Sequence, residues 1–200
     1  MIYGLTGGIG SGKSTLSQML QSYGFQIIDA DKITHELHRD PYICNTLTST
    51  FGPDVVMHTL TGICVNRKTL GAQVFADPNA REKLDAIMRP ALRHEATKRL
   101  HASTAPTVLD AALLFEAGWQ DLTDVNIVVL CPEATRLSRI IARDAHPESR
   151  ARARIRAQMS DTERIQLADR LIYNTGDLAN LLRQAKRIFD IDIAFPNCPK

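Results

Sequence analysis

The chain has 200 residues, 44% of them hydrophobic and 23% charged, with a formal net charge of +2. That balance describes a soluble globular chain with ample core. The charge is too slight to argue for a nucleic-acid partner or an anionic membrane surface, and the longest apolar runs are too short to span a bilayer. Cys44, Cys64, Cys131 and Cys198 show neither C-x-x-C pairing nor metal-ligand spacing, which predicts reduced thiols and a cytoplasmic protein. The first strand is read from Ile2, so no secretory leader is expected.

In chain order, the apolar run Ile2-Tyr3-Gly4-Leu5 reads as a buried strand, and Leu16, Met19, Leu20 and Tyr23 recur at helical spacing. Between them Gly7 to Ser14 fits G-x-x-x-x-G-K-[ST], in the strand–loop–helix context that pattern requires. Glycines let successive N–H groups turn inward on an anion, and the helix N-terminus adds about half a positive charge. Gly8, Ile9, Gly10, Ser11, Gly12 and Thr15 are therefore expected to surround a triphosphate. Lys13 is expected to reach its β- and γ-phosphates and Ser14 to ligate Mg²⁺. Phe25 to Ile28 reads as a second strand, parallel to the first across a right-handed crossover, ending at Asp29-Ala30-Asp31 beside the loop. In an extended chain both carboxylates would point the same way.

Residues 32 to 104 read as mainly helical, with turns at Phe51-Gly52-Pro53 and Thr61-Gly62, a cap at Asn66, a start at Asp77-Pro78 and a kink or break at Pro90. Strands return at Thr107 to Leu109, with Asp110 ending that run, and at Val125 to Leu130. A helix opens at Pro132-Glu133, Ser160 to Glu163 matches a capping box, Arg170 to Tyr173 is a last strand, and a final helix runs to about Phe189. The tail from Pro196 to Lys200 reads as loose. The fold class is α/β, a three-layer phosphate-loop NTPase with a parallel five-stranded sheet. It is read as one domain: a core of about 1–31, 105–135 and 165–195, a helical acceptor lobe of about 32–104, and an arginine-rich lid of about 136–160.

A GTPase switch is disfavoured: no D-x-x-G occurs in the middle of the chain, and Thr175 stands where the guanine loop needs lysine. A small-molecule kinase needs a carboxylate at the acceptor hydroxyl, cations on the phosphoryl group and a lid against water. Asp29, Asp31 and the arginines of 136–164 supply these. Arg139 and Arg143 share a helix face at i, i+4 and can both point at the triphosphate. Asp29 and Asp110 both remain candidates for the outer shell of the metal.

Gly4 to Thr15 followed by Ile28-Asp29-Ala30-Asp31 resembles dephospho-coenzyme A kinase. The resemblance continues through Phe51-Gly52, Asn66 to Leu70, Val74 to Asp77, Leu113-Leu114-Phe115-Glu116, Arg139 to Asp144, Ala157-Gln158, Ala168-Asp169 and Asn174-Thr175-Gly176. It implies ATP-dependent phosphorylation of the ribose 3′-hydroxyl of dephospho-coenzyme A with Mg²⁺, by a monomer that acts on these two small molecules. Asp31 would take or orient the hydroxyl proton, with Lys13 and Arg139 as its catalytic companions. Asn174 and Gly176 would lie at the nucleotide. Arg67, Arg89, Leu113, Leu114 and Glu116 would meet the acceptor, the two arginines at its diphosphate. Arg89-Pro90 replaces the usual His-Pro, Ala112 replaces a proline, and 61–66 is atypical. A kinase for a nucleoside or nucleoside monophosphate, or a nucleotide-binding module without transfer activity, are the alternatives.

Overall fold

The computed structural model describes residues 1–60, 62–145 and 147–191. In chain order, β1 (Ile2–Thr6) runs through the glycine loop into α1 (Lys13–Ser22), and β2 (Gln26–Asp29) runs into α2 (Ala30–Leu37). Then come α3 (Pro41–Phe51), β3 (Val56–Thr59), β4 (Gly62–Val65), α4 (Arg67–Ala76), α5 (Pro78–Ala102), β5 (Thr107–Asp110) and β6 (Val125–Leu130). The described chain continues with α6 (Glu133–Asp144), α7 (Glu148–Arg156), α8 (Asp161–Leu167), β7 (Arg170–Tyr173) and α9 (Leu178–Ile188). Contacts divide it into two compact units: Met1–Ile28 with the chain from Leu100 onward, and Asp29–Arg99.

The first unit is built on a five-stranded parallel sheet in the order β2-β5-β1-β6-β7. β6 lies inside the sheet between β1 and β7, and its Ile127 to Leu130 are apolar and buried, as a strand covered on both faces must be. Tyr3, Leu5, Leu16, Leu20, Ile127, Ile172, Leu181 and Phe189 form one core, and the rings of Tyr3, Phe25 and Phe189 meet with centroids 4.9–5.9 Å apart. Each fully buried leucine or isoleucine there contributes on the order of 1.5–3 kcal/mol. The sheet order corrects one expectation. β2 is not β1's partner: β5 lies between them, with Leu5 opposite Asp110. The strand end beside the glycine loop is therefore that of β5.

The second unit has its own core of Ile43, Cys44, Leu47, Val55, Val65, Leu70 and Met88. It is not purely helical, because β3 and β4 form an antiparallel hairpin with Val56 opposite Val65 and Thr59 opposite Gly62. Four-residue strands carrying His58, Thr59 and Cys64 leave too little alternation to be read locally, and burial of Val65 supplies the missing order. Pro90 does not break α5, which is continuous, with Pro90 exposed. Thr61 of the expected turn, and the tail with Cys198, lie outside the described residues. No helix among them is long and apolar enough to cross a membrane.

Candidate active site

β1 ends at Thr6 and the chain turns through Gly7 to Gly12 before α1 begins at Lys13. Gly12 caps α1 in the left-handed region at φ +94°, and Gly10 is also left-handed at φ +80°, conformations that a side chain would strain. The Ser11 N–H donates to the Gly8 carbonyl at 3.0 Å, and the Ile9 N–H to Gln158 Oε1 at 2.8 Å. Ser14 and Thr15 stand exposed in the first turn of α1, so the open helix end presents hydroxyls and unpaired N–H groups together.

Lys13 Nζ is ion-paired to Asp110 Oδ1, and Ser17 Oγ donates to Oδ2 of the same carboxylate. Asp110 is only 5% exposed, so this carboxylate is held by two donors in a nearly dry strand end. Sheet order explains the choice of Asp110 over Asp29 as the brace of Lys13. Asp29 instead caps α2, its Oδ1 accepting from the N–H groups of Asp31 (2.9 Å) and Lys32 (3.1 Å). This corrects the extended reading of 29–31. Asp31 is an exposed first-turn residue of α2, so the two carboxylates are not same-face residues of one extended strand.

Two more side chains hold the loop. Asn174, buried at the end of β7, donates from Nδ2 to the Ser11 carbonyl at 2.7 Å. Arg139 Nη1 lies 3.2 Å from the Gly10 carbonyl and 3.4 Å from that of Ser11. Arg143 does not join it. Its guanidinium grips Asp144 at 2.7 and 3.0 Å, and Arg154 reaches the same carboxylate at 2.5 Å. Those cations, Arg143 first, hold the Asp144 carboxyl down to about 2. The i, i+4 spacing set the helix face but could not reveal this nearer carboxylate.

The acceptor-side candidates separate in the same way. Leu114 is fully buried beneath Gly4, which makes it a packing residue, whereas Leu113 is 51% exposed. Glu116 Oε1 accepts from Arg164 Nη2 and from the Met159 N–H, both at 3.3 Å. Gly176 is exposed ahead of α9. Within the second unit Arg67 Nη1 lies 2.8 Å from His35 Nε2, and Arg89 is paired with Asp85 one turn away at 2.8 Å. His35, Glu36, His38, Arg39, Cys64, Val65 and Arg67 line a cavity of about 390 Å³. Burial, with the positive field of Arg67 and His35, lowers the pKa of His38 there.

Arg136 and Arg164, counted in the sequence among the cations of the lid, are instead buried at 4% and 0% exposure, both bonded to Asp161. Arginines are rarely buried whole, and only the tertiary fold supplies the carboxylates that permit it.

A glycine loop holding a lysine against a buried strand-end carboxylate, with an arginine and an asparagine on its carbonyls, is equipped to bind and neutralise a polyphosphate. A family model described as dephospho-CoA kinase matches residues 1–180. The chain belongs to the dephospho-CoA kinase family. A dephospho-CoA kinase of Symbiobacterium thermophilum is 41% identical over 182 residues, covering 88% of this chain and 75% of its own length. That of Bacillus licheniformis is 36% identical over 195 residues, covering 95% and 96%. The structure of a dephospho-CoA kinase from Campylobacter jejuni has a TM-score of 0.71 at 28% identity, over 98% of each chain. A shikimate kinase from Bacteroides thetaiotaomicron, 12% identical with a TM-score of 0.55 over 96% and 97%, shares the fold alone. As a member of the dephospho-CoA kinase family the chain is an ATP-dependent kinase.

Proposed function

We propose that the chain transfers the γ-phosphoryl group of ATP to the ribose 3′-hydroxyl of dephospho-coenzyme A, giving ADP and coenzyme A. The observation that carries this reading is the phosphate loop, with Lys13 poised on Asp110 and Arg139 on the Gly10 and Ser11 carbonyls, in a chain matched to that family over residues 1–180. Lys13 and the loop N–H groups hold the β- and γ-phosphates, and Arg139 faces the charge that develops in transfer. Asn174 and Gly176 support the nucleotide through the carbonyl of Ser11 and the turn into α9.

Asp31 receives or orients the acceptor hydroxyl proton. Its exposed carboxylate suits that task, since the transition state is loose and orientation counts for more than basicity. Unit Asp29–Arg99 binds the acceptor, with Arg67 on its diphosphate, and residues 136–160 cover the triphosphate. Arg89 and Arg143 already hold carboxylates and contribute less.

No three His, Cys, Asp or Glu side chains form a metal-binding set among the described residues. The donors present are the exposed Ser14 hydroxyl and the strand-end carboxylate of Asp110, which fit Mg²⁺ held largely by phosphate oxygens and water. When bound, the ion supplies charge neutralisation across the β- and γ-phosphates. We read the protein as a cytoplasmic monomer.

The test is ADP release from Mg·ATP with dephospho-coenzyme A, a nucleoside, a nucleoside monophosphate or no acceptor, using wild type and Asp31→Asn. Release with dephospho-coenzyme A alone, lowered about 10²–10⁴-fold in the variant at unchanged ADP affinity, is expected. Release with another acceptor overturns the substrate. Release no faster than the acceptor-free control, from protein that still binds ATP, overturns the enzyme.

A further inference from the structure

The loop carries more glycine than its motif asks for. Gly7 and Gly12 belong to the pattern, but Gly8 and Gly10 occupy its free positions. Arg136 accounts for Gly8 and also crowds Gly10, whose left-handed φ of +80° already favours glycine. A Cβ on Gly8 would lie 2.5 Å from Arg136 Nη1 and 2.8 Å from its Cζ. One on Gly10 would lie 2.9 Å from the Arg136 carbonyl oxygen and 3.2 Å from its Cα. The side chain and backbone of this one residue thus form the floor on which the phosphate loop rests.

The floor is itself anchored. Arg136 Nη1 donates to both carboxylate oxygens of Asp161 at 2.9 Å. Arg164 donates to Asp161 Oδ1 and to Glu116 Oε1, each at 3.3 Å, and so joins the turn after β5 to α8. Gln158, three residues before Asp161, takes the Ile9 N–H of the loop. Two guanidiniums lie almost wholly buried here against two carboxylates, yet Arg136 Nε, Arg164 Nε and Glu116 Oε2 are buried with no hydrogen-bond partner among the described residues. Desolvating such charges stabilises less than apolar packing of the same volume would, and orphaned atoms add to the cost. Stability alone is a poor reason for this arrangement.

We infer that Arg136 is a positioning residue for the nucleotide: clamped by Asp161, which Arg164 holds in turn, it keeps Gly8 to Gly10 in the form that receives the phosphates. Without it the loop must be ordered by the ligand, and that cost falls on binding. The inference rests on the loop binding ATP and is indifferent to the acceptor.

The test uses the full chain with Arg136→Gln, Arg136→Lys, Asp161→Asn and the double variant Arg136→Lys/Asp161→Asn. ADP dissociation constants with and without Mg²⁺ are read alongside melting temperature and both KM values. Expected is an ADP dissociation constant and a KM for ATP raised about tenfold or more, a factor easily resolved, with the acceptor KM unchanged. The double variant should be no worse than its weaker single, because both changes break one contact. Arg136→Lys keeps the buried charge, so the inference remains testable if Arg136→Gln does not fold. Wild-type ADP affinity in Arg136→Lys and Asp161→Asn, with only a lowered melting temperature, would overturn it and leave a structural ion pair. Weakening of ATP and acceptor alike would also overturn it. If wild type binds ADP yet fails to phosphorylate dephospho-coenzyme A, the acceptor reading fails while this one is still decided by the dissociation constants.

Discussion

Replacing Asp110 by Asn probes the pair at the centre of the site. Its carboxylate receives donors from both Lys13 and Ser17, and its side chain is 6% exposed against 17% for that of Lys13. Asparagine keeps the shape but offers one acceptor oxygen, so one charge-assisted bond becomes an ion–dipole bond and the other donor faces an NH₂ group. A hydrogen bond to a charged group is worth about 1.5–3 kcal/mol against about 1 for a neutral one, and an unmet buried donor costs about 1–3. Lys13 can turn partly to water, which removes some of that, leaving a loss of about 2–3 kcal/mol. For a chain of this size, about 2–4 °C per kcal/mol predicts a melting temperature lower by about 4–12 °C. The assay is thermal and urea unfolding of wild type and Asp110→Asn, followed by Mg²⁺-free ADP binding. On the proposed function the phosphates of ADP compete with Asp110 for Lys13, so affinity without Mg²⁺ should hold or rise although the fold is weaker. An unchanged melting temperature, or Mg²⁺-free binding that falls with stability, would refute the reasoning.

Two further outcomes follow from the same geometry. Arg139→Met removes donors from the Gly10 and Ser11 carbonyls and, on the proposed function, a cation from the phosphates. Turnover in steady-state kinetics should drop about 10²–10³-fold, with a melting temperature near wild type because Asn174 still serves Ser11. An undiminished turnover would place Arg139 outside the chemistry. The His38 pKa lies below its ordinary 6.5 because burial, Arg67 and His35 oppose its charge. The folded state therefore binds this proton more weakly than the unfolded chain does. Its contribution to stability is present above pH 6.5 and lost as pH falls through the lowered folded value. Urea titrations should show wild type losing stability relative to His38→Gln below that pH, and parallel curves would contradict the reading.

Much of this is legible in the sequence alone. Gly7 to Ser14 lies between a buried strand and an amphipathic helix, so the loop, its Lys13 and the α/β class follow from local pattern alone. The capping box at Ser160 and Glu163 is equally local, and the structure forms it with both reciprocal bonds. Such signals are readable because the groups that satisfy them lie within a few residues.

Other features depend on partners far away in the chain. The sequence by itself determined that strand-end carboxylates would face the loop, but not that β5 would insert beside β1. Asp110 rather than Asp29 therefore meets Lys13 across 97 residues. It determined a helix face bearing Arg139 and Arg143, while the folded chain brought Arg154 to share Asp144 with Arg143 and Arg139 to the loop, 129 residues back. The burial of Arg136 under Gly8 had no local signature, since an arginine on a helix reads as solvated until Asp161, 25 residues on, is brought to it. Backbone period and cap chemistry are short-range and survive in the one-dimensional pattern. The pairing of charges is set by sheet order and burial, which only the folded chain decides.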